Sequence, residues 1–135
     1  AFPSARPGLS MLLRLDHLVL TVSDLSRSLA FYQEVLGMRH ELFGEGRHAL
    51  CFGQQKINLH LHGHEFEPKA AAVQVGSADL CLITDWSLAT LQEHLAALQV
   101  PVEQGPVLRT GALGPIESLY LRDPDGNLLE ISRYL

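Results

Sequence analysis

"LYLRDPDGNLLEISRYL", residues 119–135, is the stretch on which the reading of the whole chain turns. Residues 117–122 and 128–134 each read as a strand. The Asp125-Gly126 pair between them suits a hairpin-type turn, because glycine accepts the positive φ such turns require. Side chains alternate along a strand, so Leu129, Ile131 and Leu135 point one way and Glu130, Ser132 and Tyr134 the other. Glu130 therefore faces either water or a cation.

Working outward, the same arrangement occurs twice. Residues 14–22 alternate as a strand, and Ser23 or Asp24 can cap the next segment. Leu25, Leu29, Tyr32 and Leu36 then recur at helical spacing until Gly37. Strand-like stretches come next at 39–43, 47–52 and 56–62. The second half opens with a strand at 79–84. Ser87 is a cap, and Leu88, Leu91, Leu95 and Leu98 form a helical stripe that Pro101 stops. Strands are expected near 102–104 and at 117–122 and 128–134. The fold class is thus α+β: two tandem β-α-β-β-β modules, about 13–65 and 77–135, forming a curled mixed sheet with a central cleft.

Superposing the halves sets Asp16-His17-Leu18 on Ala78-Asp79-Leu80 and Ile57-Asn58-Leu59 on Leu129-Glu130-Ile131. The first and last strands of each half then carry polar residues at matching places: His17 and Asn58, then Asp79 and Glu130. His60 lies two residues beyond Asn58, on the same strand face. If the two sheets curl toward one another these groups converge. Burying them together is costly unless they bind a cation or complete a hydrogen-bond network. His60-x-His62-x-His64 spans a strand end and reads mainly as a solvated edge. His94 is expected to be exposed.

Composition bounds the partners. The chain has 135 residues, is 47% hydrophobic and carries a net charge of −5. These values suit one packed domain over 13–135 and give no electrostatic reason to expect nucleic acid. No apolar run approaches the length of a membrane helix. Cys51 and Cys81 form no CxxC and read as thiols in a reducing, cytoplasmic setting. Residues 1–12 are Pro/Gly/Ser-rich at their start and read as a disordered leader or expression remnant.

The opening "LDHLVLTVSDLSRSLAFYQEVLGM" and closing "YLRDPDGNLLEI", on two tandem modules, resemble the vicinal oxygen chelate (glyoxalase/bleomycin-resistance/extradiol dioxygenase) superfamily. Within it, "RHALCFGQQKINLH" and "EFEPKAA" resemble a glyoxalase-domain-containing, virulence-associated branch. The resemblance implies His17, Asp79 and Glu130 as metal ligands. Asp79 stands where glyoxalase I has histidine and Asn58 where it has glutamate, so Asn58 or His60 is the further ligand or substrate contact. This oxygen-rich set favours Mn²⁺, Mg²⁺, Fe²⁺ or Ni²⁺ over a tetrahedral structural Zn²⁺.

The resulting expectation is a divalent-metal-dependent glyoxalase-like lyase or isomerase, acting on a small oxygen-chelating substrate with Glu130 or Asp79 as the base, Glu130 being the catalytic residue nominated. The rivals are an Fe(II) dioxygenase and a non-catalytic small-molecule or antibiotic binder. Arg109 reads as a residue of a Gly-rich loop, either clamping a substrate anion or solvated, and Lys69 carries the same two readings. Exposed strand edges, and the habit of the superfamily, imply a homodimer, in some relatives with sites completed between subunits.

Overall fold

The computed structural model describes residues 10–135, so residues 1–9 of the expected leader lie outside it; residues 10–16 form no helix or strand. The first module comprises β1 (His17–Val22), α1 (Leu25–Glu34), β2 (Arg39–Phe43), β3 (Arg47–Phe52) and β4 (Gln55–Leu61). The second comprises β5 (Asp79–Ile83), α2 (Leu88–Ala97), β6 (Gln104–Thr110), β7 (Pro115–Arg122) and β8 (Leu128–Tyr134). Each module closes its own four-stranded sheet, in the orders β1-β4-β3-β2 and β5-β8-β7-β6. In both, the first strand pairs in parallel with the last and the other pairings are antiparallel.

The repeat holds at the level of register. Val19, two residues beyond His17, lies opposite Asn58, and Cys81, two beyond Asp79, lies opposite Glu130. β1 begins at His17 rather than at residue 14 because its pairing starts there, against Lys56. The chain before it meets Gln55, whose Nε2 donates to the Leu15 carbonyl at 2.8 Å.

Both helices form as their signals predict. Asp24 accepts from the Arg27 N–H at 3.0 Å, and Gly37, at φ 68°, closes α1 by donating to Gln33. Ser87 caps α2 through the Thr90 N–H at 3.1 Å. Leu88, Leu91 and Leu95 are buried as the stripe requires, but Leu98 is 43% exposed. The reason is that the chain already turns there: Gln99 has φ 58°, and Val100 donates back to the Leu95 carbonyl.

One contiguous core joins the modules. Leu20, Val22, Leu50, Ile57 and Leu59 pack in the same cluster as Leu119, Leu121, Leu129 and Ile131, together with Tyr32 of α1 and Leu88, Leu91 and Leu95 of α2. Truncating a fully buried leucine such as Leu119 or Leu129 should cost about 2–5 kcal/mol. β6 differs from expectation. Expected near 102–104, it instead spans Gln104–Thr110 and runs through Gly105 and Pro106, because it is an edge strand with a register irregularity between Gln104 and Val107. An edge with a bulge is where a sheet tolerates proline. Arg109 is consequently a strand residue rather than a loop residue.

A buried polar bond crosses the core: Tyr32 Oη donates to Asp123 Oδ2 at 2.6 Å. Burial, reinforced by that carboxylate, pushes the phenol far above its ordinary range and keeps it a donor. We expect Tyr32→Phe to lower unfolding free energy by about 1.5–3 kcal/mol, as for a buried bond to a charged group. In urea melts the midpoint should fall with the m-value unchanged. An unshifted midpoint would contradict this account of the core.

Candidate functional site

The sheet faces turned away from the core carry the polar residues. On the first module this face presents His17, Val19 and Thr21 from β1 and Lys56, Asn58 and His60 from β4. On the second it presents Asp79, Cys81 and Ile83 from β5, Glu130 and Ser132 from β8, and Ser118 and Tyr120 from β7.

Glu130 is half-buried, and its immediate partners are hydroxyls. Ser118 Oγ donates to Glu130 Oε2 at 2.6 Å, and Ser132 Oγ lies 3.4 Å from the same oxygen. The two serines also bond one another at 2.7 Å. The carboxylate is thus fixed through one oxygen, the arrangement that orients a ligating or proton-accepting carboxylate. Cys81, directly opposite in the register, contacts Ser132 Oγ at 3.3 Å. Burial raises its thiol pKa; the Ser132 contact opposes this, and the charges of Glu130 and Asp79 add to it. Asp79 and Glu130 therefore act on the same neighbour.

His17 is exposed and its Nδ1 engages Asp16 at 2.8 Å, a contact that holds the Asp16 carboxyl below its usual range. Asn58 and His60 are 5% and 3% exposed, yet Asn58 Oδ1 and His60 Nε2 have no hydrogen-bond partner among the described residues. Along the paired strands His17 sits opposite Lys56 and His60 opposite Thr21. Four positions at 3.3 Å each separate the two histidines by about 13 Å. Asn58, opposite Val19, is the nearer of the two to His17.

The nominated residues fall into separate hollows. His17 and Asp79 line one, with Lys56 and Cys81. Glu130 and Arg109 line a second, with Tyr134 and Cys81. His60 lines a third, with Thr21 and Lys69. Among the described residues no three His, Cys, Asp or Glu side chains are grouped to hold a metal ion within one chain. Arg109 is itself engaged: its Nε donates to Tyr120 Oη at 3.0 Å, and its guanidinium lies 5.5 Å from that ring's centre.

Several roles are hidden from the sequence. Ser118 and Ser132 carry no pattern that links them to Glu130. His94, expected to be exposed, is half-buried and its Nε2 bonds the Val35 carbonyl at 2.8 Å, tying α2 to the end of α1. Arg47 lies 5.3 Å from the Phe43 ring centre and 4.8 Å from that of Phe66. His62 and His64 are exposed, as a solvated edge should be, whereas His60 is buried.

The state of Cys81 gives a test. A raised pKa means less thiolate at neutral pH, so iodoacetamide should modify Cys81 more slowly than an unstructured cysteine at pH 7. Its rate should climb as pH rises past the ordinary thiol range near about 8.5. Ser132→Ala, which removes the one contact that lowers the pKa, should slow the reaction further. Peptide mass spectrometry over a pH series reads this directly, and alkylation as fast as in a free peptide would refute the described environment.

Comparison with known proteins agrees with this architecture. The chain is 53% identical over 122 residues to virulence protein STM3117 of Salmonella typhimurium, covering 90% of this chain and 85% of that one. It is 55% identical over 120 residues to the glyoxalase domain-containing protein RDO1 of Mycosarcoma maydis, covering 89% and 68%. The solved structure of an integron cassette protein from Vibrio cholerae superposes with a TM-score of 0.91 at 57% identity, covering 94% of this chain and 99% of that one. More distantly, glutathione transferase FosA of Serratia marcescens is 29% identical over 123 residues, covering 90% and 81%. A sequence profile of the Glyoxalase/Bleomycin resistance protein/Dioxygenase superfamily matches residues 14–131, and the chain belongs to that superfamily.

Proposed function

We propose that the protein is a divalent-metal-dependent lyase or isomerase of the glyoxalase type, acting on a small molecule with two neighbouring oxygens. The observation that carries this reading is the unpartnered Asn58 Oδ1, a buried acceptor on the same face as His17. A buried carbonyl oxygen left unsatisfied costs about 1–3 kcal/mol, and a cation is one group that would relieve it. Members of this superfamily commonly use a divalent metal. The donors present fit one, as two half-sites. His17 and Asn58 form the half on the first module. Asp79 and Glu130 form the half on the second, with the serine pair behind the glutamate.

Because the described residues of one chain do not group three such donors, a homodimer is part of the proposal: it would set the first-module face of one copy against the second-module face of the other. Val19 and Ile83, 47% and 57% exposed on these two faces, are apolar surface that such an assembly would cover. The ion would supply Lewis-acid polarisation of the substrate oxygens. Glu130 would accept and return a proton at Oε1, its other oxygen being held by Ser118. An Fe(II) dioxygenase would want two histidines and a carboxylate together, and the strand separation of His17 and His60 argues against that set. A cytoplasmic location, with both cysteines free, belongs to the same reading. No helix among the described residues is long and apolar enough to cross a membrane.

Elemental mass spectrometry of the purified protein tests the metal. We expect close to one divalent ion per chain in the wild type, with the ion lost in His17→Ala and Glu130→Ala. Ser118→Ala should weaken metal affinity by about 10–100-fold, the usual effect of removing a group that orients a ligand. Light scattering should give twice the chain mass. A wild type that takes up no Ni²⁺, Mn²⁺ or anaerobic Fe²⁺ would overturn the metalloenzyme reading.

A further inference from the structure

The segment after β4 folds back over the outer face of the first module. With Thr21 and His60 it encloses a pocket of about 510 Å³, within the range of small-molecule sites. Its polar lining is Thr21, His60, Lys69, Gln74 and Ser77, and the rest is short and apolar, including Val19, Pro68 and Val73. Phe66 closes against the His60 ring edge-on, with centroids 5.7 Å apart.

His60 is the unexplained member. Only 3% of its surface is exposed, and its Nε2 has no partner among the described residues. Packing alone does not account for placing a polar nitrogen there at a cost of about 1–3 kcal/mol. Its charged surroundings decide what could satisfy it. Arg47 and Lys69 bring positive charge toward the ring, and Glu65 is the one acid that acts on it. Glu65 is itself occupied, accepting from the Gly63 N–H at 2.5 Å. Arg47 makes no ion pair among the described residues and is placed by Phe43 and Phe66 instead. Lys69 meets Glu67, two residues away, at 2.9 Å, an exposed pair of little worth.

A metal cation beside His60 would be repelled by both Arg47 and Lys69. An oxyanion would be attracted by both and would accept a hydrogen bond from the His60 Nε2–H. We propose that this pocket binds the anionic group, carboxylate or phosphate, of a small molecule with a short apolar portion, with His60 as the buried donor and Lys69 and Arg47 as the attracting charges. His60 is then a substrate contact, and Asn58 the residue on β4 turned to the metal. That the bound molecule is the substrate rests on the function proposed above; that the pocket binds an anion does not.

The test uses full-length protein stripped of metal with EDTA, so it is independent of the ion. Imidazole ¹⁵N resonances and backbone amides are followed by NMR during titration with butyrate, butyl phosphate or butanol. Saturable shifts at His60, Lys69 and Gln74 with either anion, and not with butanol, would support the pocket; which anion acts tells carboxylates from phosphoesters. Arg47→Gln and Lys69→Met, both on accessible side chains, should each weaken binding by about tenfold, the equivalent of one charge-assisted contact. His60→Gln should lose the response while the fold is retained. Equal shifts with butanol, or no saturable shift with either anion, would overturn the inference. Metal uptake measured on the same samples separates that failure from failure of the metalloenzyme reading.

Discussion

The buried carboxylate of Asp123 is the constraint on which the arrangement of the two modules depends. Its Oδ1 accepts the backbone N–H groups of Asp125 and Asn127, each at 2.9 Å. Its Oδ2 accepts Tyr32 Oη at 2.6 Å and Asn127 Nδ2 at 2.8 Å. A carboxylate that is 6% exposed is tolerable only when bonded this fully. The consequences spread through the turn it organises. Asn127 Oδ1 takes the Ala78 N–H at 2.8 Å, just before β5, and Asp125 takes both the N–H and the hydroxyl of Ser23, just after β1. Gly76 runs so close that an added Cβ would stand 2.5 Å from the Asp125 carbonyl oxygen, at a φ of +77° that only glycine adopts readily. One short turn therefore fixes the exit of the first strand of one module and the entry to that of the other, and with them the relation of His17 to Asp79.

Much of this is legible in the sequence, for reasons that differ by element. Strand alternation and the helical leucine stripes are local signals, and they place seven of the eight strands and both helices close to where they lie. The parallel register needs the repeat: only by aligning the halves do Asn58 and Glu130 become equivalent, and the pairings of Val19 with Asn58 and of Cys81 with Glu130 agree. β6 escapes a local reading because Gly105-Pro106 breaks the pattern, while the permission to place proline there comes from being an edge, a property of the whole sheet. Tyr32 is legible as core, but its hydroxyl's partner lies 91 residues away. The Ser118–Ser132 support of Glu130 is illegible for the same reason, since a serine facing a cleft looks like any polar strand residue.

The duplication also shows how two equivalent positions come to different chemistry. Asn58 and Glu130 occupy the same place in their modules, and so do His60 and Ser132. On the neighbouring strand, Ser118 lies opposite Ser132, and continuing the β3–β4 register by one step sets Arg47 opposite His60. In the second module the pair is two small hydroxyls, which reach back and fix the carboxylate through one oxygen. In the first module the same two positions hold a guanidinium and an imidazole. Arg47 lies over the Phe43 and Phe66 rings and His60 packs against Phe66, and the Asn58 amide oxygen has no partner among the described residues. Arg47, with Lys69, instead sets positive charge beside the pocket at His60. A single divergence between the halves thus leaves one face with a supported carboxylate and the other with a free acceptor and positive charge.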